Sequence, residues 1–148
     1  MAGIDYNGIA ASLQAALQAD AALSQATVSI EDEVPGALDI GPWVVIYLLR
    51  RDAPVGEQRL AAGTRLSYIA QYVVYCWQYS LESEVRAVEL RNDLLSAVEV
   101  ALLRKQKTLG AGVEFVTLEG GGVVSLRQDA KFISGGELIV NCRVAATI

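Results

Sequence analysis

The chain has 148 residues, of which 53% are hydrophobic and 20% charged, and it carries a net charge of −5 with no histidine. That length fits one domain able to bury about 70% of its unfolded surface, so no disulfide or metal is needed to hold a core. The composition excludes a disordered chain, and seventeen acids against twelve bases disfavour the basic stripe of a nucleic-acid binder.

Asp5 or Asn7 can cap a first helix running from Asp5 to Leu23, with Ile9, Leu13, Ala16, Leu17 and Ala21 as its apolar stripe. Thr27–Ile30 reads as a short strand. An acidic patch, Glu31, Asp32 and Glu33, follows, and then a loop with Pro35 and Gly36. Trp43–Leu49 (WVVIYLL) is a strong strand of β-branched and aromatic residues, with Pro42 just ahead of it. Residues 50–65 form a long connection. It holds Arg50, Arg51, Arg59 and Arg65, four of the twelve basic residues, and arginine is favoured where protein surfaces meet. Ser67–Tyr79 is the second strong strand.

Ser80 reads as the N-cap of a second helix, Ser80–Lys105. Glu82 and Glu84 lie in its first turn, and Arg104, Lys105 and Lys107 close it before a stop at Gly110. Val85, Val88, Leu95, Val98 and Leu102 are its expected buried stripe. Val113–Glu119 and Val123–Gln128 read as a hairpin turning at Gly120–Gly122, and Gly135-Gly136 precede a last strand, Glu137–Ala146. The fold class is α+β in a single domain over 1–148: an antiparallel or mixed sheet with two main helices on one face.

The two central strands are apolar on both faces. One face of the first carries Trp43, Val45, Tyr47 and Leu49, the other Val44, Ile46 and Leu48. The second strand is alike, interrupted only by Gln71. Helices on one side leave such a sheet half covered, so the strands curl on themselves or a neighbouring subunit packs there.

The search for chemistry returns little. Without histidine the usual general base, nucleophile systems and metal ligand are missing. The glycine-rich pieces read as turns, not phosphate cradles, and the acidic patch lacks spaced Ca²⁺-ligand geometry. Cys76 and Cys142 read as two reduced, buried small hydrophobes. The expectation is a protein that is not an enzyme and has no cofactor. No apolar run reaches membrane-span length, and the first residues (MAGIDYNGIA) lack a leader pattern, so a cytosolic chain is expected.

The Pro-led strand PWVVIYLLRRD, the long loop, the strand running straight into a helix (YIAQYVVYCWQYSLESEVRAVELRNDLLSAVEVALL) and the closing strands (VVSLRQDAKFISGGELIVNCRVAATI) resemble the tail-terminator, or tail-completion, and neck proteins of long-tailed bacteriophages. The resemblance covers nearly the whole chain and rests on the order of elements, with no short diagnostic motif. It implies a structural virion protein at the neck, assembled in the bacterial cytoplasm. Such a protein forms a six-membered ring that caps the tail tube and joins tail to head. Its partners would be its own copies, the tube protein and head-side connectors, with DNA passing through the ring unbound and no membrane involved. A head-tail connector or stopper is the neighbouring alternative; outside phage, a small-ligand-binding or regulatory α+β domain is the other. The interface candidates come from the sequence itself: Arg50, Arg51, Arg59 and Arg65, with Glu31, Asp32 and Glu33.

Overall fold

A computed structural model describes residues 4–31, 41–52 and 65–147; at residues 52, 65, 66, 146 and 147 only the backbone is described. Helix α1 spans Tyr6–Gln18, followed by a 3-10 turn at Ala21–Leu23. Strands β1 (Thr27–Ile30), β2 (Trp43–Asp52) and β3 (Arg65–Ser80) come next. Helix α2 (Glu84–Arg104) and strands β4 (Val113–Gln128) and β5 (Lys131–Thr147) complete the chain. The sheet order is β1-β2-β3-β5-β4. Only the β1–β2 pair is parallel, so the sheet is mixed, as expected of the α+β class.

Both helices lie on one face. Ile9, Leu13 and Leu17 of α1 and Leu94, Val98 and Leu102 of α2 pack in one cluster with Val44 and Ile46 of β2, Tyr72 and Val74 of β3, and Val140 and Val144 of β5. Asp5 is the α1 cap: its carboxylate accepts from the Gly8 amide at 2.9 Å. The helix is shorter than Asp5–Leu23. Asp20 caps the 3-10 turn and also binds Arg104 of α2 at 3.0 Å, which ties the two helix ends together.

Several further expectations are corrected by the fold. Ser80 does not cap α2: it is the last residue of β3, where its hydroxyl accepts from the Glu82 amide, and Ser83 is the cap. The buried stripe of α2 is Ala87, Arg91, Leu94, Val98, Ala101 and Leu102, while Val85 is 68% exposed. The Gly120–Gly122 run is not a turn. β4 runs straight through it with a bulge opposite Glu137, whose carboxylate accepts from the Gly122 amide at 3.1 Å.

The true hairpin turn lies between Gln128 and Lys131, with Asp129 at φ 55°. Gly135 and Gly136 sit inside β5, not ahead of it. A Cβ on Gly135 would lie 2.5 Å from the Trp77 ring, so glycine is there to let that ring lie flat on the strand. The element order is therefore one strand shorter after α2 than the sequence pattern indicates.

Cys76 and Cys142 are both buried and free, as expected. Cys142 stands opposite Ala70, six residues along β3 from Cys76, a separation of about 20 Å that excludes a bond between them. Burial pushes both thiols from 9.0 up to about 12, with Glu99 adding to the shift at Cys76. The folded chain therefore holds protons that the unfolded chain releases between those values. Stability contributed by the thiols is complete below about pH 9 and falls as pH rises towards 12. Urea midpoints at pH 8 and pH 10.5 should differ, with the lower at 10.5, and the gap should narrow in a Cys76→Ala, Cys142→Ala chain. Equal gaps in both chains would refute the assignment.

Candidate assembly surface

The face of the sheet turned away from the helices is the chief feature left by the fold. Trp43, Val45 and Ile133 are buried there, with Tyr47, Trp77 and Tyr79 packed partly against them. Around this centre the side chains are progressively open: Leu49 is 52% exposed, Val124 46% and Leu126 45%. Among the described residues no helix or second sheet lies over this face. Of the two ways of covering this face that the sequence leaves open, curling of the strands into a barrel or sandwich does not occur among the described residues, whose five strands form a single open sheet.

The face has relief as well as area. Tyr47 and Tyr75 meet edge to face, their ring centroids 5.7 Å apart. A hollow of about 390 Å³ is lined by Tyr47, Leu49, Val73, Tyr75 and Trp77. A second, of about 230 Å³, lies between Tyr75, Trp77, Val124 and the small residues Gly122 and Gly135. Tyr75 and Trp77 are common to both, so the two hollows adjoin across an aromatic ridge. The Trp77 indole nitrogen is buried and finds no acceptor among the described residues, a donor left unsatisfied at a cost of about 1–3 kcal/mol. The Gln71 amide, the one polar interruption of the Ile69–Tyr79 row of β3 on this face, donates to Asn141 opposite it on β5 at 2.8 Å.

The charged candidates are divided. Arg50 and Arg51 lie in the last residues of β2, both exposed, and the Arg51 guanidinium sits 5.7 Å from the centre of the Tyr6 ring. Glu31 follows β1 at φ 50°, and its carboxylate accepts from the Leu48 amide at 3.2 Å. Arg65 begins β3 opposite Thr147, and its side chain lies outside the described residues. Arg59, Asp32 and Glu33 also lie outside the described residues.

What the fold does assemble is one end of the sheet near the start of α1. The Tyr72 hydroxyl donates to the Tyr6 carbonyl at 2.8 Å, and burial, then the charges of Cys142, Tyr6, Asp5 and Glu31, push that hydroxyl's pKa well up. No group of three or more His, Cys, Asp or Glu side chains placed to hold a metal occurs among the described residues, and none of their helices is long and apolar enough to cross a membrane.

Sequence reasoning missed Arg91. It is 8% exposed, in the middle of the buried stripe of α2. Phasing that stripe on apolar residues alone passed over it, although the spacing from Ala87 to Arg91 to Leu94 was the available signal.

These features define a class: an α+β fold with one sheet face filled by its own helices and the other covered by none of the described elements. No family model and no curated protein matches the chain in sequence. Among solved structures it is similar to a chain of the virion of a native gene transfer agent particle, with a TM-score of 0.61 and 18% identity. That match covers 93% of this chain and 94% of that one, and it shows a shared fold. A weaker likeness is to the sheath/tube terminator of an extracellular contractile injection system, PVC, in its extended state. It has a TM-score of 0.46 and 12% identity over 100% of this chain and 59% of that one, a similarity too low to define a common fold.

Proposed function

We propose that this chain is a structural protein of a tailed virion, a tail terminator whose copies close into a six-membered ring on the end of the tail tube and join the tail to the head. The observation that carries this reading is the aromatic face of β2, β3 and β5, over which no described helix or second sheet lies, behind a helix face that is already full. Leaving that much apolar surface in water forgoes about 25 cal/mol for each Å² that a neighbour would bury. Further support comes from the order of elements in the sequence and from a fold shared with a virion chain over nearly the whole length of both. The net charge of −5 suits a ring that lets DNA pass without gripping it. The reading assigns the chain no catalysis and no cofactor, and it makes the tube protein and head-side connectors its partners.

The test is to remove the gene from the producing particle and image what forms. The expected result is tails of uncontrolled length, unjoined to heads, with the wild-type chain restoring both properties. Tails of normal length that merely fail to join would move the assignment to a connector on the head side. Complete particles in the absence of the chain would overturn the reading.

A further inference from the structure

Among the described residues Arg91 is the only charged side chain that the fold buries. Its hydrogen bonds are made but its charge is not balanced. Nη1 donates to the Ser134 hydroxyl at 3.0 Å, and Nε and Nη2 donate to the Asn92 amide oxygen at 3.1 and 2.9 Å. No carboxylate among the described residues lies within ion-pair distance of it. A guanidinium taken out of water without a counterion is costly, and folds keep one where something else supplies the anion.

The hydrogen bonds lead from Arg91 to the surface. Ser134, fully buried on β5, lies 3.0 Å from the Ser125 hydroxyl on β4, and its own hydroxyl is 3.2 Å from the Val124 carbonyl. Ser125 is exposed, on an edge strand of the sheet. The two edges differ sharply. β1 is four residues long, and its Val28 carbonyl is occupied by the Gln14 side chain at 2.9 Å. β4 is sixteen residues long. Among the described residues its start is covered, where the Val116 amide donates to the Gln106 carbonyl. Every residue from Glu119 to Ala130 is exposed, Val123, Val124 and Leu126 among them. Native folds blunt their edges, and this one blunts β1 and leaves the far half of β4 open.

We propose that the open half of β4, with Arg91 behind it, receives an acidic segment from a second copy of this chain, whose carboxylate meets Ser125 and neutralises Arg91 across Ser134. This inference rests on the ring reading. A second copy is the fitting occupant because each chain carries seventeen acids against twelve bases, so every neighbour brings unpaired carboxylates. An arginine-backed edge on one patch and an acid on another makes the contact head-to-tail, the kind that closes a ring. Ser125 stands two links of 3.0 Å from the guanidinium, so a carboxylate bonded to its exposed hydroxyl acts on Arg91 from a third link away.

The experiment compares the full chain with Arg91→Met and Ser125→Asp, by light scattering across a concentration series, thermal melting, and incorporation into tails. Arg91→Met is expected to melt at or above the wild-type temperature, since it removes a buried charge without a partner, and to self-associate about thirtyfold or more weakly. Ser125→Asp keeps Arg91 and supplies the carboxylate within the chain, and it should show the same loss. It decides the matter even if Arg91→Met folds poorly. Both variants associating like wild type would overturn the inference while leaving the terminator reading intact. So would normal rings that no longer bind tails, since the acid would then belong to another protein. Wild-type chain absent from tail ends would instead sink the terminator reading.

Discussion

A Tyr75→Lys chain is expected to fold and to fail to assemble. Tyr75 is half-buried on the open face, stacked edge to face on Tyr47 and shared by both hollows. In the single chain its ring borders water, so the substitution should cost no more than about 1 kcal/mol of stability. In an assembly the same ring lies at the centre of the contact. Aromatic residues in such positions carry about 2 kcal/mol or more of binding, and a lysine there adds the cost of burying an unpaired charge. Melting temperature and self-association by light scattering separate the two effects. Wild-type assembly by this variant would show that the face is not used.

The second large effect falls on the other side of the sheet. Leu13 is fully buried where α1 meets β2 and α2. Leu13→Ala removes apolar volume and leaves a cavity that a rigid sheet does not fill, for a loss of about 3 kcal/mol. For a domain of this size that lowers the melting temperature by about 10 °C. At thirteen residues α1 is too short to hold its shape alone and depends on this packing. If melting moves by only a degree or two, α1 is not part of the cooperative core. Because Leu13 faces away from the open side of the sheet, particles formed below the lowered melting point should assemble normally. That contrast with Tyr75→Lys distinguishes a loss of fold from a loss of surface.

The residues that specify themselves locally were the ones legible in the sequence. Asp5 needs only the Gly8 amide to be a cap, and Thr27–Ile30 needs only its own β-branched residues to be a strand. The doubly apolar character of β2 and β3 is likewise a property of alternation along each strand, and the open face follows from it.

The misread positions depend on partners far away in the chain. Glycine triplets favour turns, but at Gly120–Gly122 the opposing strand β5 holds the chain extended and Glu137 fills the bulge. Gly135 is read correctly only once Trp77 is seen lying against it. Ser80 reads as a cap from local sequence, but β3's pairing with Phe132 at Ser80 keeps it in the strand and gives the role to Ser83.

The α+β class, the two helices and the strands with two apolar faces are legible along the chain, because each is set by side chains acting within a turn or two of backbone. Which face the helices fill, which edge the described residues leave open, and the place of a charged residue in the α2 stripe emerge only on folding. Those outcomes are fixed by long-range pairing: Ser134, 43 residues away in the chain, arrives beside Arg91 with a hydroxyl that accepts a hydrogen bond from its guanidinium.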